Sequence, residues 1–85
     1  MTDQLVLPLA DKRLSATQQS VYEALRWLIV SSDPHDIQRA LAEHNIPMER
    51  NEIYSRLAEL ERKGLVERVG RNFGRRGNPL TWRRK

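Results

Sequence analysis

What constrains this chain most is its punctuation: helix starts and stops recur so closely that no element can run far. Ser15 with Gln18 three residues on fits a capping box, in which each side chain satisfies an orphan backbone N–H. Val21, Ala24, Leu25 and Leu28 follow at helical spacing and form one apolar stripe. "SSD" closes this piece, and "DPHD" opens the next. Asp33 is a good N-cap, Pro34 takes the favoured first position, and Asp36 adds negative charge near the positive helix end. Ile37, Ala40 and Leu41 give the second helix its apolar face. "HNIP" stops it, because Asn45 tolerates the left-handed conformation and Pro47 keeps Ile46 from being helical. A third helix runs from Met48 or Glu49 to Lys63, with Ile53, Leu57 and Leu60 on one side and Gly64 as its stop. Val66 to Val69 reads as a strand, and "GRNFGRRGNP" is turn chemistry. Leu80 and Trp82 alternate with Thr81 and Arg83, as in a half-buried strand.

The 85 residues suffice for one small domain, over residues 14–85, behind an extended arm at 1–13 that Pro8 interrupts. Cysteine is absent, so neither disulfides nor thiolate metal sites help, which suits a reducing cytoplasm. No apolar run approaches the length of a membrane span. The opening "MTDQLVLPLADKR" lacks the basic start and small-residue cleavage site of a signal peptide. The expectation is a soluble, cytoplasmic protein.

Charge is segregated. Residues 65–85 carry seven basic side chains against the single acid Glu67, whereas residues 1–64 carry eight basic against ten acidic. An excess at one end suggests a polyanion partner. The alternative is a solvated tail that keeps the protein soluble. Strand patterns on both sides of the glycine-bearing loop favour a folded hairpin over a disordered tail.

Helix, helix, short turn, helix, "RKGLVERVG", basic hairpin: this order resembles the winged helix-turn-helix domains of bacterial transcriptional regulators. "EIYSRLAELERKGLVERVG", residues 52–70, is similar to the end of a recognition helix running through glycine into the first wing strand. The fold class expected is mainly α with a small β-hairpin. The resemblance implies double-stranded DNA as partner, with the third helix in the major groove and the wing on the backbone or minor groove. Winged helices also serve as protein-docking modules, so fold alone does not fix function.

With Ile53, Leu57 and Leu60 inward, Asn51, Ser55, Ala58 and Arg62 point outward and Tyr54 lies at the flank. Asn and Arg can read base edges, and Ser and Tyr can hold phosphates. The difficulty is charge: Glu49, Glu52, Glu59 and Glu61 balance Arg50, Arg56, Arg62 and Lys63, as on a solvated surface laced with ion pairs. The wing has the stronger electrostatic case. Arg71, Arg75 and Arg76 sit at or near its tip, and Asn72 can donate to a phosphate. Phe73 is expected to fold back onto the hairpin and Trp82 to be core, while Arg83, Arg84 and Lys85 read as a frayed end. "GNPLTW" is similar to the wing of winged helices that bind left-handed nucleic acid, but Tyr54 and Ala58 stand where that group needs an asparagine and a tyrosine.

"QLVLPL", residues 4–9, is similar to the peptide by which bacterial replication proteins dock on the DNA sliding clamp. That likeness implies that Gln4 bonds at a groove which Leu5, Leu7 and Leu9 fill. Otherwise the arm covers the protein's own core or pairs with a second subunit. Trp27, off the first helix's stripe, suits a homodimer interface or closes the core under the arm.

No catalytic, metal or cofactor motif is present: His35 and His44 have no third spaced ligand, no serine sits in a nucleophile motif, and "GRRG" belongs to a hairpin turn. Two functions remain. The first is a small DNA-binding transcriptional regulator. The second is a phage- or plasmid-type adaptor built on a winged helix. Neither is an enzyme.

Overall fold

A computed structural model describes residues 14–28 and 30–85. The expected arm at 1–13, and with it Gln4, Leu5, Leu7 and Leu9, lies outside the described residues. Three helices are followed by a hairpin: α1 (Ala16–Trp27), α2 (Pro34–Glu43), α3 (Arg50–Arg62), β1 (Val66–Arg71) and β2 (Leu80–Arg84). This is the mainly α, winged-helix layout expected from the sequence.

The caps act where local chemistry puts them. The Ser15 hydroxyl accepts from the Gln18 N–H while the Gln18 side chain accepts from the Ser15 N–H. Asp33 closes a second capping box with Asp36, so Asp36 bonds the cap backbone as well as facing the helix dipole. Asn45 (φ 61) and Gly64 (φ 78) hold left-handed conformations just past α2 and α3. Met48 is not helical. It is buried in the core, and its carbonyl accepts from Gln38 at 3.0 Å.

The three apolar faces meet in one core of Val21, Ala24, Leu25, Ile37, Leu41, Met48, Ile53, Leu57 and Leu60, closed by Val66 and Trp82 from the strands. Burial of each large aliphatic side chain contributes about 2 kcal/mol.

β1 and β2 pair antiparallel from Val66↔Arg84 to Arg71↔Leu80. The strand expected at 66–69 runs on to Arg71, because pairing continues to Gly70↔Thr81 and Arg71↔Leu80 past an extra residue, Val69, that is skipped after Arg68↔Trp82. Such a bulge increases local twist. On its other side β2 meets the linker between α1 and α2: the Ser32 N–H donates to the Trp82 carbonyl at 2.9 Å, and the Trp82 N–H donates back at 2.8 Å. Trp82 therefore ties wing, linker and core together.

The basic end is folded. Arg83 pairs with Glu67 at 2.7 Å, the Arg84 guanidinium lies 4.0 Å from the centre of the Tyr22 ring, and the Lys85 N–H donates to the Leu65 carbonyl. This corrects the expectation of a frayed end: an acid, an aromatic ring and a carbonyl across the hairpin each hold one of these residues.

Candidate nucleic-acid interface

Packing of Ile53, Leu57 and Leu60 turns the opposite face of α3 outward. Asn51, Tyr54, Ser55 and Arg62 are exposed, with Tyr54 at 40%. Among the described residues, none of the four side chains has a hydrogen bond or an ion pair. Ala58 is half-buried on the same helix and leaves the surface low beside Tyr54 and Ser55. Together they offer two amide- or guanidinium-bearing groups that can pair with base edges, and two hydroxyls for phosphates.

The acids of α3 are largely occupied elsewhere. Arg56 bridges Glu52 at 3.4 Å and Glu59 at 2.8 Å, and Gln18 of α1 donates to Glu59 at 2.7 Å. Bonds from Gln18 and Arg56 hold the Glu59 carboxyl below its usual range. Glu61 receives a two-point bond from Arg68 of β1, at 2.9 and 3.1 Å, which lowers its carboxyl likewise. The neutral formal charge of the helix thus conceals a division: its acids are bonded by Gln18, Arg56 and Arg68, while the exposed Arg62 guanidinium lies near enough to lower the Glu59 and Glu61 carboxyls but makes no ion pair among the described residues.

The wing loop is latched to the start of α2 through two carboxylates, chiefly that of Asp33. Asp33 is fully buried. Its Oδ1 accepts from the Asp36 N–H at 2.9 Å. Its Oδ2 accepts from Arg75 Nε at 2.7 Å and Asn72 Nδ2 at 2.9 Å. A second Arg75 nitrogen reaches Asp36 at 3.2 Å. Burial pushes the Asp33 carboxyl upward, but the Asp36 N–H, Asn72 and Arg75 together outweigh it and leave it below the ordinary carboxylate range. Asn72 and Arg75, assigned from sequence to phosphates, therefore spend donors on an internal carboxylate.

Two wing cations keep free reach. Arg76 is exposed and has no ion pair or hydrogen bond among the described residues. Arg71 is exposed and donates from Nη1 to the Asn78 carbonyl at 3.0 Å, leaving Nη2 and Nε. No protein-family model matches the chain, and no curated protein matches its sequence.

Phe73 does not fold back, contrary to expectation: it is 77% exposed. Its neighbours Asn72 and Arg75 face Asp33, which turns the ring out. Trp27 has a partner that sequence reasoning missed: it stacks on His44 at 3.8 Å between ring centroids and 11° between planes. His44 in turn bonds the Ala40 carbonyl through Nδ1 at 2.9 Å. No helix among the described residues is long and apolar enough to cross a membrane.

Proposed function

We propose that the protein binds double-stranded DNA as a small transcriptional regulator, with α3 in the major groove and the wing on the backbone or minor groove. One observation carries this reading: the outward face of α3 presents Asn51, Tyr54, Ser55 and Arg62 without internal partners, while the acids of the same helix are paired. Water satisfies these exposed groups in the free protein, and the same donors and acceptors are available to base edges and phosphates. Arg71 and Arg76 supply the backbone affinity, and Asn72 and Arg75 set the wing's orientation rather than touch phosphate. The protein works in the cytoplasm, where its DNA is. Pairing of two copies through the arm would let it span two half-sites.

Selection from a random pool of duplexes tests the readout. Wild-type protein is expected to enrich a common sequence. Asn51→Ala is expected to lose about tenfold on that sequence, in line with about 1–3 kcal/mol for a good base contact, and little on random duplex. Equal loss on both would show that Asn51 reads no base.

A further inference from the structure

Phe73 is not used by the reading above. A single exposed aromatic is ordinary on a surface and means little on a loose loop. This loop is anchored on both sides of the ring. Asn72 bonds the buried Asp33, Gly74 donates its N–H to Asn72 Oδ1 at 3.0 Å, and Arg75 bonds Asp33 and Asp36. The loop is closed further back by the Asn72 N–H on the Pro79 carbonyl and the Asn78 N–H on the Arg75 carbonyl, both at 2.9 Å. The fold therefore holds an apolar ring outward in a fixed place. Residues 72–79 contain no acid, and Arg71 and Arg76 flank the ring in sequence.

We infer that Phe73 is a wedge that stacks on bases, and that the favoured ligand is duplex DNA carrying a mispaired or unpaired base. This rests on the DNA-binding reading and names the kind of DNA. Apolar side chains at the minor groove insert between base steps and unstack them, and an aromatic ring stacks on any base because every base has a π-face. Arg71 and Arg76 would hold phosphates beside the ring. In an intact duplex, unstacking offsets most of the gain. At a mispaired site that cost is already reduced, so the stacking contribution is kept. Because folding has already ordered the wing, little further ordering opposes insertion.

Fluorescence anisotropy of the full chain on one duplex, intact or with a single mismatch, tests this. Wild type is expected to prefer the mismatched duplex by about tenfold, the scale of one base–aromatic stack. Phe73→Ala should bind both alike, with intact-duplex affinity within about twofold of wild type, and Phe73→Trp should restore the preference. Since the ring is exposed, all three proteins should melt together, and circular dichroism checks this. If wild type and Phe73→Ala bind both duplexes equally, the wedge is overturned and DNA binding stands. If nothing binds either duplex at low salt, DNA binding falls and the wedge with it.

Discussion

Asp33→Asn is expected to cost about 2 kcal/mol of stability and to free the wing, while Asp33→Ala costs about 3 kcal/mol. The difference follows from the two jobs of one carboxylate. Asparagine caps a helix nearly as well as aspartate, so the bond to the Asp36 N–H survives. Its amide then turns a donor toward Arg75 Nε and Asn72 Nδ2, which are donors themselves. Alanine removes the cap as well. In a domain this small, these losses lower the melting temperature by about 10 and 15 °C. Hydrogen exchange at the Asn72 and Asn78 N–H groups should quicken in Asp33→Asn.

The pH dependence has a definite sign. The folded Asp33 carboxyl lies below its unfolded value of 3.8. Its contribution is therefore present above that value and is lost as pH falls through the lower, folded one. The stability gap between wild type and Asp33→Asn should be widest near neutral pH and narrow on acidification. A gap that held constant into acid would mean that Asp33 charge does not hold the wing.

Trp82→Ala is expected to be the most damaging single change, at about 4 kcal/mol. The ring is 4% exposed and closes the core where α1, α2 and α3 meet the hairpin. The Arg68 guanidinium lies 5.6 Å from its centre, and that contact goes too. A domain of this length has about 4–13 kcal/mol in all, so this one change removes between about a third and all of its stability. Trp82→Phe should cost only about 1 kcal/mol. It leaves a smaller cavity, and it removes a buried Nε1–H that reaches no acceptor among the described residues. Urea melts of both variants separate volume from polarity.

The sequence made the local features legible and the distant ones not. Ser15–Gln18, Asp33–Pro34, Asn45 and Gly64 were readable because caps and left-handed stops depend on residues a few positions apart. The α3 core face was readable because Ile53, Leu57 and Leu60 keep helical spacing. The latch was not. Arg75 and Asp33 lie 42 positions apart, and nothing in "GRRG" distinguishes an arginine turned inward from its neighbour Arg76 turned out. The same holds for Ser32 on Trp82, a bridge of a single residue that has no strand pattern of its own. The general tendency of apolar side chains to seek cover predicts Phe73 folded back, and it fails at this position. Here the anchoring of Asn72 and Arg75 leaves the ring no cover. The neutral charge of α3 was legible, but not its meaning, which depends on Gln18 and Arg68 reaching across from other elements.

The most direct measurement is the affinity for random-sequence duplex DNA across a salt series, beside Arg71→Ala/Arg76→Ala. With Arg62, Arg71 and Arg76 as the unlatched cations, log affinity should fall against log salt with a slope of about −3, and the double variant should flatten it to about −1. A slope near zero, or one that the double variant leaves unchanged, would contradict a wing laid on the phosphate backbone.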